Sequence, residues 1–120
     1  MIMRPKNRYL LVESSAPLDT RDRILAKQIL DAVAFEIGAI GYVKSNPKIV
    51  YQAGDRAFIL RINRGYEDGV VLALSFVKEI GNVGVGFYTI KTSGTILALT
   101  SYFKRHYPDG QVASTNHTNR

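Results

Sequence analysis

Cysteine is absent from the 120 residues of this sequence. This absence excludes disulfide bonds, thiolate metal sites and cysteine nucleophiles, and it is typical of proteins in a reducing compartment. The chain also has no run of about 18 consecutive apolar residues, and its first eight residues contain no apolar segment of the signal-peptide kind. We therefore expect a cytoplasmic protein without contact to a membrane.

Histidine is scarce, since only His106 and His117 occur, both near the C-terminal end. Catalysis by general acids, bases or nucleophiles at neutral pH usually needs histidine, cysteine or paired carboxylates with shifted pKa values. The carboxylates of this chain are scattered and show no spacing typical of metal ligands. The sequence therefore predicts no catalytic residue, no metal site and no cofactor bound by the protein.

Positive charge is what the sequence has in excess. Sixteen Lys and Arg against ten Asp and Glu give a formal net charge of +6. A basic surface attracts polyanions, which makes nucleic acid the leading class of partner. Charge alone fits an ordinary solvated surface equally well.

Short runs of β-branched and aromatic residues, bounded by turn residues, predict the strands. These runs cover residues 8–14, 48–53, 56–63 and 83–92. The second and third runs are separated by Gly54 and Asp55, which suit a tight hairpin.

Apolar residues spaced three or four apart predict three helices. The first begins with N-cap chemistry at Asp19 or Thr20 and ends at Gly38 and Gly41; the last ends near residue 108. The predicted buried stripes are Leu25, Ile29, Val33, Ile37 and Ile40 in the first helix, Val70, Ala73, Leu74, Val77 and Ile80 in the second, and Ile96, Leu99 and Phe103 in the third.

The predicted order β-α-β-β-α-β-α belongs to the α+β class. It matches a ferredoxin-like or RRM-like split βαβ plan, in which two crossover helices cover one face of a four-stranded antiparallel sheet, with an added C-terminal helix. We predict a single domain over residues 1–108 and a polar tail over residues 109–120. Many unrelated functions share this plan, so it does not decide the activity.

Basic residues form three clusters, which are the candidate RNA contacts and can join into one surface. Their arginines suit bidentate contacts to phosphate. Positive charge at the start of the first helix opposes the helix dipole, so binding explains it better than helix stability does. The clusters are Arg4, Lys6 and Arg8; Arg21, Arg23 and Lys27; and Arg56, Arg61 and Arg64; Lys91 in the fourth strand is a further candidate.

Ser93, Gly94 and Thr95 stand between a strand and a helix, where free backbone N–H groups and hydroxyls can hold a phosphate. Simple N-capping explains the same residues and is favoured by the local sequence. The third strand lacks the RNP1 pattern, and Phe58 is predicted to be a core residue. Contact with RNA should therefore depend on phosphates and RNA shape more than on stacked bases.

A second face of the first helix places Ile24 and Phe35 among the polar residues Gln28 and Asp31. This face fits a contact with a partner protein and a second packed layer within the domain equally well.

Taken together, these residues resemble the protein component 2 family of archaeal ribonuclease P, which is related to a small subunit of eukaryotic ribonuclease P and ribonuclease MRP. The resemblance covers nearly the whole domain. It is carried by Lys6-Asn7-Arg8-Tyr9 before the first strand, Leu60-Arg61-Ile62-Asn63-Arg64 at the end of the hairpin, the apolar second helix, and Ser93-Gly94-Thr95-Ile96 at the start of the last helix.

The resemblance implies a non-catalytic subunit that binds and activates a catalytic RNA, which removes 5′ leaders from precursor tRNA with Mg²⁺ at the RNA. Its implied partners are the ribonuclease P RNA, precursor tRNA and other protein subunits, especially a TIM-barrel-like one, and homodimerisation is also considered. Ile24 and Phe35 are the candidate partner contacts. The alternative hypothesis is a ferredoxin-like regulatory domain that binds a protein or a small anion. An independent nuclease is disfavoured by the missing ligand cluster.

Overall fold

A computed structural model describes residues 6–108 of the chain. Arg4 and the tail at 109–120 lie outside this part. The elements in chain order are β1 (Asn7–Ser14), α1 (Arg23–Ile37), α2 (Ala39–Ser45), β2 (Lys48–Gly54), β3 (Ala57–Asn63), α3 (Glu67–Phe76), β4 (Glu79–Ile80), β5 (Val83–Gly84), β6 (Phe87–Ser93) and α4 (Ile96–His106).

The main sheet has four strands in the order β2-β3-β1-β6, and every neighbouring pair is antiparallel. This confirms the predicted split βαβ plan with its added C-terminal helix. The central strands β1 and β3 contain nearly continuous apolar runs, because helices cover both faces of the sheet and bury consecutive residues.

Two hydrophobic cores lie on opposite faces of this sheet. On one face, Leu10 and Phe58 pack with residues of α1 and α3 such as Val33 and Leu74. On the other face, the neighbouring strand residues Leu11 and Ile59 pack with Leu99 and Phe103 of α4. The alternation of side chains along a strand produces this division. The last helix therefore covers the sheet face that α1 and α3 leave open.

Helix α1 begins later than the sequence predicted. Its N-cap is Asp22, whose side chain accepts hydrogen bonds from the N–H groups of Ile24 (2.9 Å) and Leu25 (3.4 Å). The predicted caps have other partners: Asp19 accepts from Arg21, and Thr20 is held by Gln52 of β2. Several capping residues stand close together, and a contact across the fold selects among them.

Helix α1 ends at Ile37 with Gly38 as its C-cap, which confirms the first of the two predicted end residues. The second, Gly41, lies inside the short helix α2, which the sequence did not indicate. The backbone of Gly38 has φ +88°, a left-handed region that favours glycine. This turn resets the helical phase, so Ile40 is 73% exposed instead of extending the buried stripe. Its assignment to the core of α1 was wrong.

Helix α3 also ends earlier than expected, at Phe76. Ile80 is buried as predicted, but it lies in a two-stranded ribbon formed by β4 and β5. Gly81, with φ +60°, opens the two-residue turn of that ribbon. The predicted strand at 83–92 is consequently divided between β5 and β6.

Candidate nucleic-acid interface

Four side chains form a row across one end of the main sheet. Tyr9 of β1 pairs with Arg61 of β3 on one side and with Ser93 of β6 on the other, and Arg61 pairs in turn with Lys48 of β2. Cross-strand partners share a face of the sheet. Tyr9 packs against the core beneath α4, so this sheet-end row lies on the α4 side. Three strand spacings of about 4.8 Å make it roughly 14 Å wide.

Arg8 and Glu67 bring the start of α3 to the same end of the sheet. Arg8 Nε lies 3.3 Å from Glu67 Oε2, and both side chains are only about a quarter exposed (27% and 26%). Arg8 Nε makes no hydrogen bond, so this pair is a contact between charges. The other oxygen of Glu67 accepts a 2.6 Å hydrogen bond from the N–H of Gly65. Glu67 therefore holds both Arg8 and the turn before α3.

The guanidinium of Arg8 extends to the turn between β6 and α4. Its Nη1 atom lies 3.8 Å from the position that a Cβ would occupy on Gly94. Thr95 caps α4 by accepting a hydrogen bond of 3.2 Å from the N–H of Ala98, and Ser93 accepts one of 3.3 Å from the N–H of Thr95. The N-capping interpretation is thus correct. The first four N–H groups of any helix have no intrahelical partner, and Thr95 satisfies only that of Ala98 here, so the turn retains donors beside an arginine.

Three further predicted cations lie at this end. The N–H of Arg64 donates a 2.6 Å hydrogen bond to the carbonyl of Lys6, and both residues are exposed. Lys91 pairs with Leu11, which places it on the α4 side, and its Nζ lies 5.1 Å from the centre of the Tyr102 ring. We call the whole group the basic end; it consists of Lys6, Arg8, Lys48, Arg61, Arg64, Lys91 and the turn at residues 93–95.

Arg21 and Arg56 do not join the basic end. Arg56 precedes the seven residues of β3 and Arg64 follows them, and the eight steps between the two arginines, at about 3.3 Å each, separate them by roughly 26 Å. Arg56 Nη1 donates a 2.9 Å hydrogen bond to the carbonyl of Ser15, and Arg21 donates bonds of 2.8 and 3.2 Å to Asp19. The hydrogen bonds from Arg21 lower the pKa of Asp19. The three clusters therefore join only in part.

Arg23 and Lys27 lie on α1, where they line a cleft between that helix and the edge strand β2. The cleft has a volume of about 640 Å³, and Tyr42 of α2 and Lys48 also line it. Lys27 Nζ forms an ion pair of 2.8 Å with Asp31. Lys48 thus belongs both to this α1–β2 cleft and to the sheet-end row.

Lys48, Tyr9 and Glu67 are residues of the site that the sequence analysis missed. Lys48 follows a proline and opens a strand, and Tyr9 was noted only within the basic segment. Their significance depends on the strand register, which aligns residues far apart in the chain. Glu67 lies in the first turn of α3, and its contact with Arg8 carries no local signal.

The predicted partner contacts, Ile24 and Phe35, lie on the outer surface of α1. They are 73% and 84% exposed, so no element within residues 6–108 covers them. A second packed layer therefore does not explain their apolar character in this part of the chain. Phe35 and Phe76 of α3 line a shared cleft of about 590 Å³.

No group of three or more His, Cys, Asp or Glu side chains between residues 6 and 108 is arranged to hold a metal ion. His106 stacks on Tyr102 with 4.0 Å between ring centres, and its Nδ1 lies 2.9 Å from the Tyr102 carbonyl oxygen. His106 is thereby held in the last turn of α4. None of the helices in the same region is long and apolar enough to traverse a bilayer.

Glu13 is a buried acid at the opposite end of β1 from this site. Only 7% of the residue is exposed, and its Oε2 atom has no hydrogen-bond partner among the described residues. Burial raises the pKa of Glu13, and the charge of Arg56 partly opposes that shift. Burial and the nearby Glu13 also raise the pKa of Tyr107, which follows α4.

Comparison with known proteins assigns the chain to a family. The sequence profile of the Rpp14/Pop5 family matches residues 8–104. This chain belongs to the Rpp14/Pop5 family. The assignment confirms the resemblance noted in the sequence. Within the matched region lie Arg8, Arg61 and the turn at 93–95, so most of the basic end belongs to the part shared with the family.

Several curated relatives of this chain are called ribonuclease P protein component 2. The one from Methanocorpusculum labreanum is 31% identical over 97 residues, which are 81% of this chain and 65% of that protein. The one from Methanosphaerula palustris is 35% identical over 100 residues, with 81% and 61% covered. The one from Thermococcus kodakarensis is 26% identical over 106 residues, with 88% of each chain covered. The chain spans only 65% and 61% of the length of the relatives from Methanocorpusculum labreanum and Methanosphaerula palustris, which is less than two thirds of each.

A solved structure shares the fold of this family member. A chain in the cryo-EM structure of yeast ribonuclease MRP superposes with a TM-score of 0.59 at 12% sequence identity. The superposition covers 91% of this chain and 97% of that chain. At this identity the similarity shows the fold alone.

Proposed function

We propose that this protein is a non-catalytic subunit of a ribonuclease P ribonucleoprotein and that its basic end binds the RNA. One observation carries the proposal: in a member of the Rpp14/Pop5 family, Arg8, Arg61, Arg64 and Lys91 lie at the end of the sheet where α4 begins, and Arg8 reaches the turn before that helix. These residues come from β1, from β3 and the position after it, and from β6, which are far apart in the chain. Cations gathered in this way provide the electrostatic footprint that RNA backbones require.

The mode of contact follows from the position of α4. In an RRM-like fold, RNA bases stack on a sheet face that no helix covers. Here Leu99 and Phe103 of α4 fill the centre of that face. Phe58 lies on the opposite face and is buried. Bases cannot stack across this sheet face, so we expect the basic end to bind the RNA through its phosphates.

The proposed role in catalysis is indirect. Cations at the basic end would screen repulsion between RNA phosphates and favour the active conformation of the RNA. The RNA and its Mg²⁺ ions would hydrolyse the phosphodiester bond that releases the 5′ leader of precursor tRNA. The exposed side chains Ile24 and Phe35 would contact another protein subunit, for which the TIM-barrel-like subunit is the candidate. We propose residues 1–108 as the domain that does this work, in the cytoplasm.

Cleavage of precursor tRNA at low Mg²⁺ tests the proposal. The protein alone, the cognate RNA alone, and the RNA with this protein and its candidate partner subunit are compared. We expect cleavage at the mature 5′ end only in the complete mixture. Equal cleavage with and without this protein would refute the activating role, and cleavage by the protein alone would identify an independent nuclease.

A further inference from the structure

The α1–β2 cleft has the chemistry of a second RNA contact. Arg23, Lys27 and Lys48 bring three positive charges to it, against the single carboxylate of Asp31. Asp31 is engaged with Lys27 at 2.8 Å, but both side chains are well exposed. An exposed pair of this kind is weak in water, so a phosphate can compete for the ammonium group. Tyr42 adds an aromatic ring to the same wall.

Lys48 makes this cleft continuous with the sheet-end row. It lies on β2, an edge strand, where it pairs with Arg61 and also lines the cleft towards α1. Cationic side chains therefore follow one another from the row, over the edge of the sheet, to the first turns of α1. A series of cations of this kind attracts successive phosphates of one RNA backbone.

We propose that a single strand of RNA crosses the edge strand β2, running from the sheet-end row into the α1–β2 cleft, with Lys48 at the crossing. The inference rests on the proposed function, because it assumes that the basic end binds RNA. Beyond that function, the inference specifies the course of the RNA from the row to the cleft. It also assigns the cleft as a second binding segment and Lys48 and Tyr42 as RNA contacts.

The shape of the path selects a single strand. The RNA must turn around the edge of the sheet within the width of one β-strand, whereas a nucleic-acid duplex is stiff over about 150 base pairs. A single strand bends freely and can stack a base on an aromatic ring. Tyr42 in the cleft offers such a ring, whereas Tyr9 in the row packs against the core beneath α4.

The width of the row sets the length of RNA needed to reach the cleft. At about 3.4 Å for each stacked nucleotide, a row of roughly 14 Å holds about four. A tetranucleotide therefore occupies the row alone, and a decanucleotide extends over β2 into the cleft. The two lengths separate the contacts of the two segments.

Binding of labelled single-stranded tetranucleotides and decanucleotides to the full chain tests the path. Lys48→Ala and Lys27→Ala are compared with the control Lys78→Ala. Lys78 is an exposed lysine next to the β4 ribbon, so this substitution removes the same charge away from the proposed path. Loss of one phosphate contact lowers the salt slope for a single strand by about 0.7, which is roughly fourfold in affinity at about 0.15 M salt. We expect that loss for Lys27→Ala with the decanucleotide only, and for Lys48→Ala with both lengths. Lys78→Ala should leave both affinities unchanged.

The outcomes separate this inference from the proposed function. If the wild-type chain binds neither oligonucleotide with a salt-dependent affinity, the proposed function fails. If the decanucleotide binds but Lys27→Ala behaves like Lys78→Ala, RNA binding stands and the path into the cleft is wrong. Tighter binding of a hairpin duplex than of the decanucleotide, with the same dependence on Lys27, would overturn the assignment to a single strand. Circular dichroism of each variant confirms that it is folded.

Discussion

Arg61 occupies the central position of the sheet-end row, between Lys48 and Tyr9. No hydrogen bond or ion pair of its side chain with another described residue is found, in contrast to Arg21 and Arg56. A cation in such a position contributes little to folding, and its charge remains available to a ligand. The arginines that hold the fold are therefore different residues from those that can bind RNA.

Arg61→Ala is expected to lower the affinity for RNA roughly fourfold at about 0.15 M salt, since it removes one phosphate contact. The melting temperature should change little. Fluorescence anisotropy measures the first quantity and thermal unfolding the second. The matched control is Arg105→Ala in the exposed last turn of α4, which removes the same charge away from the basic end. Equal affinities of the two variants would contradict the assignment of Arg61.

Glu13 predicts a dependence of stability on pH. Because burial raises its pKa above the ordinary value of 4.5, the folded state binds the proton more tightly than the unfolded state. The resulting stabilisation is complete below that value and is lost as the pH rises through the folded pKa. Glu13→Gln cannot lose it in this way. We expect the free energy of unfolding of Glu13→Gln, relative to wild type, to increase between about pH 4 and about pH 7.

Denaturant unfolding at the two pH values measures this difference. Glu79→Gln, on the exposed β4 ribbon, is the control and should show no comparable change. A relative stability of Glu13→Gln that falls over the same range would mean that Arg56 outweighs the effect of burial on the Glu13 carboxyl.

Among the elements, α4 has the largest consequence for function, because it closes the sheet face that an RRM-like fold would leave open. Its contact consists mainly of Leu99 and Phe103 against Leu11 and Ile59. The same helix begins beside Arg8 and Ser93, so its packing also positions the turn of the basic end. Stability of the second core and the geometry of the site are therefore coupled through one helix.

Leu99→Ala should destabilise the fold by about 2–5 kcal/mol, since it opens a cavity at a fully buried position. The matched control is Leu97→Ala in the same helix, at a side chain that is 75% exposed, and its effect should lie within about 0.5 kcal/mol. Chemical denaturation gives both values. Similar values for the two variants would show that α4 does not pack on the sheet through Leu99.

The basic residues between positions 6 and 108 are distributed unevenly over the molecule. One end of the sheet gathers six cations, whereas Arg21 and Arg56 at the other end are engaged by Asp19 and the Ser15 carbonyl. Such asymmetry orients an approaching polyanion before contact. It also makes binding depend on salt in proportion to the number of phosphates neutralised.

A salt titration of RNA binding measures that number. With four to six phosphate contacts at about 0.7 each, we expect the logarithm of the affinity to fall with a slope of about −3 to −4 against the logarithm of the salt concentration. A domain for a small anion would give a slope near about −1. The shallow slope would favour the regulatory alternative.

Much of the fold could be predicted from the sequence because the relevant signals are local. The apolar runs of β1 and β3, the helical spacing in α1 and α3, and the glycine that ends α1 all reflect the period or backbone conformation of their own segment. The family resemblance also came from short segments in a fixed order. Where local signals competed, as among the caps before α1, the prediction failed.

The composition of the site was decided only by the tertiary structure. The sequence by itself determined that the chain is basic, lacks cysteine and carries an α+β pattern of the Rpp14/Pop5 family. The alignment of Lys48 with Arg61, the approach of Arg8 to Gly94 and the separation of Arg56 from Arg64 depend on strand register and on the face that α4 covers. Register arises from packing between segments distant in the chain, and a one-residue shift would move each side chain to the other face, so no local pattern contains it.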